Sequence, residues 1–123
     1  MKDKLLCNLV KNCNDKGVSF SITLNVGGLI ISGTLISSKN YSEILKEQFA
    51  KNDSENVLGL VDILSEFEEE CNYEVGTTKV VDYIHLMDCQ YYLPVNNRVA
   101  INGGILWRGE ISSVNSFNMH YIH

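Results

Sequence analysis

The chain has a single proline, Pro94, and its four cysteines (Cys7, Cys13, Cys71 and Cys89) form no C-x-x-C pair. So little proline, beside nine glycines, excludes collagen-like and proline-rich repeats. The scattered cysteines exclude the paired spacing of a zinc site and the density of a disulfide scaffold, and are expected as reduced thiols packed as small apolar groups. The longest purely aliphatic run is Leu29, Ile30 and Ile31, against the roughly 20 residues a bilayer-crossing helix needs. Near the N-terminus Lys2 and Lys4 precede Leu5 and Leu6, but Asn8, Lys11 and Asn12 interrupt any signal-type apolar region. An amphipathic helix in a cytoplasmic protein is the expectation, with no membrane contact.

Catalytic signatures are also missing. The chain has no P-loop, no G-x-G-x-x-G and no G-x-S-x-G elbow. His85, His120 and His123 lack metal-ligand spacing, and Ser112, Ser113 and Cys89 have no readable base beside them. The expectation is a non-enzymatic protein holding neither metal nor cofactor.

What is present describes one domain, residues 1–123, of ordinary globular composition: 45% hydrophobic and 20% charged. Charge is unevenly spread. Residues 43–74 hold ten of the fifteen acids and two lysines, a net −8, which leaves the remainder at +3. An acidic centre repels phosphate backbones, which argues against general nucleic-acid binding and for contact with a basic protein surface.

Residues 3–15 place Leu5, Leu6, Leu9, Val10 and Cys13 at helical spacing, with Asp3 suited to the start and Gly17 to the stop. Residues 18–26 alternate strictly: Val18, Phe20, Ile22, Leu24 and Val26 share one face of a half-buried strand. Gly27 and Gly28 supply the positive φ of a tight hairpin, and residues 29–37 return as a second strand in which Gly33 marks a bulge or bend. An acidic helical insertion then occupies about 38–78. Tyr41, Ile44, Leu45 and Phe49 form one apolar stripe, and Val57, Leu60, Val61, Leu64 and Phe67 another, with Asp53 or Ser54 as cap of the second helix. Strand character returns at residues 80–86 and 89–93, in one or two strands. A turn at Val95, Asn96 and Asn97, a strand over 99–107 bending at Gly103 and Gly104, and a last strand from Glu110 complete the reading. Phe117, Met119 and Tyr121 alternate and extend the sheet. The fold class is α+β, mainly β: a five-stranded small barrel of the Sm or SH3 type, or a curved sheet, with an N-terminal helix and a helical insertion between strands 2 and 3.

Candidate contact residues follow from chemistry. Trp107 and Arg108 point to opposite faces of a strand, Trp107 toward the core; the planar fork of Arg108 suits a partner's carboxylate or an internal bridge to a nearby acid. Glu66, Glu68, Glu69 and Glu70 spread around a helix and cannot converge on a cation; they form a solvated face or dock on a basic surface. Tyr91 and Tyr92 face opposite ways, which leaves at least one for an outer surface. His85, between Ile84 and Leu86, faces away from them and is expected exposed.

Two resemblances add to this. Gly33 and Leu35 in the second strand, with residues 106–111 (Leu-Trp-Arg-Gly-Glu-Ile), resemble the two signature segments of the Sm-like small barrel. That resemblance implies that Arg108 and Gly109 occupy the turn between the last two strands, and it offers an alternative function as an RNA-binding ring. Lys39 and Ser42 stand where that pattern has an aspartate and an asparagine, so the RNA site is not carried over. Residues 17–26 (Gly-Val-Ser-Phe-Ser-Ile-Thr-Leu-Asn-Val), 31–37 (Ile-Ser-Gly-Thr-Leu-Ile-Ser), 83–86 (Tyr-Ile-His-Leu) and 107–111 (Trp-Arg-Gly-Glu-Ile) together resemble the gas vesicle accessory protein U (GvpU) family. This second resemblance implies a prokaryotic accessory role in gas vesicle biogenesis or clustering. Its implied partners are vesicle proteins, other accessory proteins or further copies of the chain.

Overall fold

The computed structural model describes residues 2–50, 55–74, 80–92, 98–99 and 104–120. Helix α1 (Lys4–Lys16) begins where the Asp3 carboxylate accepts the Leu6 amide and ends at Gly17, whose φ of 68° lets its N–H return to the Cys13 carbonyl. Leu6, Val10 and Cys13 are its buried stripe, and Leu5 lies outside.

Strands β1 (Phe20–Val26) and β2 (Leu29–Ile36) form the expected hairpin, with Gly27 and Gly28 at φ 59° and 91°. Helices α2 (Ser38–Ala50) and α3 (Glu55–Glu74) form the insertion. β3 (Tyr83–Tyr92), β4 (Arg98–Val99), β5 (Ile105–Glu110), a short 3-10 turn (Ile111–Ser113) and β6 (Ser116–Asn118) follow. The sheet order is β4-β3-β2-β1-β6, and β5 shares the outer edge of β3 with β4. Its neighbours are antiparallel.

Several expectations change. Of the two sheet forms expected, barrel or unclosed sheet, the open one is found: β6 ends it on one side, β4 and β5 on the other, and these ends do not pair with each other among the described residues. The barrel alternative therefore does not hold, while the α+β class, the N-terminal helix and the helical insertion between the second and third strands do. β3 is one continuous strand, and Val80 lies before it, exposed. Arg108 and Gly109 sit inside β5, opposite His85 and Ile84, and the chain turns later, at the 3-10 segment. Strand pairing holds them there, so the Sm-like turn is absent. Tail strand β6 does extend the sheet, beside β1. The caps at Asp53 or Ser54, the turn at 95–97, Gly103 and Tyr121 fall outside the described residues.

The bulge expected at Gly33 belongs to the facing strand. Pairing slips by one residue in β3 across Met87 to Cys89, against both β2 and β5, and Asp88 takes φ 55°. Gly33 makes room for this: a Cβ there would lie 2.9 Å from both Cys89 Sγ and the Met87 carbonyl oxygen.

The two faces of the sheet are covered differently. One carries Ile22, Leu24, Ile31, Leu35, Ile84 and Leu86, closed by the α1 stripe and Ile111 into the main core. Each such side chain contributes about 1.5–3 kcal/mol by burial. The other face carries Thr23, Ser32, Ile36 and His85, all buried. Thr23 is covered because its hydroxyl donates to the His120 carbonyl at 2.7 Å, so the tail shields the polar side of β1. The α2–α3 hairpin covers the other end of this face, with Tyr41 and Phe67 against His85 at ring separations of 4.8 and 6.1 Å. Ser42, rather than the expected apolar set, is the buried position of α2; Phe49 is exposed, and Leu64 is buried on α3. No helix among the described residues is long and apolar enough to cross a membrane.

Candidate functional site

The polar face opens into a cleft of about 250 Å³ where α1, α2, α3 and β3 meet. Its floor is built by strand register. His85 of β3 lies opposite Arg108 of β5, so both side chains leave the same face of the sheet, and Tyr83 follows at the next position on that face. Arg108 Nε donates to His85 Nε2 at 3.0 Å, and its guanidinium carbon lies 3.8 Å from the Tyr83 ring centroid and 5.7 Å from that of Phe67. A hydrogen bond and a cation–π contact together fix the plane of the fork.

His85 is 3% exposed, which corrects the expectation that it faces solvent. Burial, and then the neighbouring Arg108 charge, push its pKa down to about 3. The ring is therefore neutral, accepts at Nε2 and carries its proton on Nδ1. The signal was available in part: a helical hairpin inserted after β2 must cover some face of the sheet, and only the face opposite Ile84 and Leu86 was open to it.

α2 starts at the cleft wall. Asn14 Oδ1 accepts the Ser38 amide at 3.0 Å, and Ser37 Oγ accepts that of Asn40 at 3.0 Å, so these first amides of the helix are already capped. Sequence reasoning missed Asn14 and Ser38 because the residues that meet here are far apart in the chain.

The acidic run divides. Glu66, Glu69 and Glu70 are exposed on α3, and Glu70 lines the cleft. Glu68 instead turns toward α2, where Lys46 Nζ lies 2.9 Å from its Oε2. The Lys46 hydrogen bond holds the Glu68 carboxyl below its usual pKa, with a smaller contribution from the nearby Ser42 hydroxyl. Glu68 is thus a strut between helices and not part of a solvated face. Tyr91 packs half-buried against the core and Tyr92 is half-buried on the opposite side. Trp107 also packs against the core. Its ring lies over Gly109, where an added Cβ would overlap it. Arg108 makes no bridge to an acid among the described residues; its partners are His85 and the aromatic rings.

Among the described residues no group of three or more His, Cys, Asp or Glu is placed so that it could hold a metal ion. Cys13 and Cys89 are buried thiols whose pKa values burial raises to about 11 and about 12. The arrangement can bind and orient a charged group through Arg108.

A family model described as gas vesicle protein GvpU-like matches residues 3–122. The chain belongs to the GvpU-like family. This extends the resemblance from the β-rich segments to almost the whole chain, including the acidic helices, and makes the protein a gas vesicle accessory protein. No curated protein and no solved structure matches the chain.

Proposed function

We propose that this GvpU-like protein is a non-catalytic, cytoplasmic accessory factor that binds gas vesicle or other accessory proteins and associates with further copies of itself. The observation that carries this reading is the outer surface of α3. Asp62, Ile63, Glu66, Glu69 and Glu70 are all exposed, and their three- and four-residue spacing places them along one side of the helix. Ile63 is 65% exposed amid these carboxylates, so the surface offers apolar contact within a negative field. Lys4 and Lys16 of α1 are exposed on the oppositely charged part of the chain. The acidic helix of one copy docks on the basic helix of the next, an attraction that salt screens. Sedimentation velocity from low to high salt should show assemblies that shrink toward the monomer, and a salt-independent profile would refute the mechanism. The RNA-ring alternative gains no support, since Arg108 and Gly109 lie within a strand and not in a turn.

A further inference from the structure

The Arg108 cleft has a neighbour. A second cleft of about 230 Å³ shares Asp82 and Tyr83 with it and is otherwise lined by Lys2, Glu110 and Ser112. We propose that the two clefts form one groove for an extended segment of a partner polypeptide, with an acidic side chain seated on Arg108 and a basic one beside Glu110. The proposal rests on the protein-binding reading above and names the chemistry of the partner.

Four observations converge on it. Arg108 spends Nε on His85 and its face on Tyr83, which leaves the two terminal nitrogens, the part of the fork that grips a carboxylate. Both contacts are already in place, so little side-chain freedom remains to be lost when a ligand arrives. No ion pair of Arg108 exists among the described residues, and the amides of Ser38 and Asn40 at the adjoining helix end are capped, so the guanidinium is the group that attracts an acid. In the second cleft Lys2 Nζ is held by Asp82 at 2.6 Å, so the cation is neutralised and Glu110, exposed and accepting from Ser112 at 3.4 Å, sets the sign.

Glu70 decides between classes of ligand. Its carboxylate lines the same cleft as Arg108. With Glu110 beyond, a chain of phosphates would meet an acid on either side of the arginine, whereas a peptide of mixed charge meets complementary groups. Exposed Val80 in the first cleft and exposed Tyr83, shared by both, provide apolar contact for the peptide.

The test is a positional-scanning library of hexapeptides, capped at both ends, probed with the full-length chain and with Arg108→Gln and Arg108→Lys. The wild type should select Asp or Glu at one position and Lys or Arg at another. Arg108→Gln should lose the acid selection, with affinity for the best peptide down about tenfold or more, as for loss of a charge-assisted pair. Arg108→Lys, which keeps the charge but not the fork, should fall between them and stands in if Arg108→Gln does not fold. Absence of acid selection, or its persistence in a folded Arg108→Gln protein, would each overturn the proposal. Co-flotation of the wild type with intact gas vesicles separates the two levels: flotation without acid selection removes the groove alone, and absence of flotation removes the vesicle-binding reading.

Discussion

The two faces of one sheet have been put to different uses. Under α1, Leu24, Ile31, Leu35 and Leu86 meet Leu6, Val10 and Cys13 with no buried polar side chain among them. Under the α2–α3 hairpin and the tail, the buried positions include Thr23, Ser32, Ser42 and His85, each of which needs a hydrogen-bond partner. The first face supplies burial energy without directional demands. The second sacrifices some of that energy to hold an imidazole and a guanidinium at fixed places. Apolar packing and the positioning of polar groups are thus separated by the pleat of the strands, since neighbours such as Leu86 and His85 serve opposite sides.

The largest expected effect tests the polar face. His85 has a pKa of about 3 in the fold, against about 6.5 in an unfolded chain. Between those values the unfolded state binds more protons, so stability is full above about pH 6.5 and falls as pH drops toward 3, by up to about 5 kcal/mol. Urea melts across that window should show this loss, and His85→Gln should flatten it. On the apolar face, Leu86→Ala should cost about 3 kcal/mol by leaving a cavity, with no change in the acid profile. A matching acid shift would break the separation of the two faces. Smallest is Ile63→Ala on the outer surface of α3, which should alter the melt by less than about 0.5 kcal/mol while weakening self-association.

The apolar face was legible because strand and helix periods report it directly: Ile22 and Leu24 on β1, and Leu6, Val10 and Cys13 on α1, fell where expected. The hairpin at Gly27 and Gly28 was equally plain, since few other residues accept those φ values. The polar face was not. Alternation assigns His85 to the side opposite Ile84, and whether that side is wet depends on where a helical hairpin settles, which is a tertiary matter. Arg108 was picked out by type, yet its partners are 23 and 25 positions away in sequence, and only the strand register brings them together. Glu68 shows the same limit. Nothing local distinguishes it from Glu69, and the difference is made by Lys46 on the neighbouring helix.

The neutral imidazole beneath Arg108 has a further result. A surface histidine would add or shed charge with each modest drift in acidity. Here the ring is walled off, and burial places its titration far below that range. The imidazole in the floor of this cleft is consequently as uncharged in mildly acidic surroundings as in neutral ones.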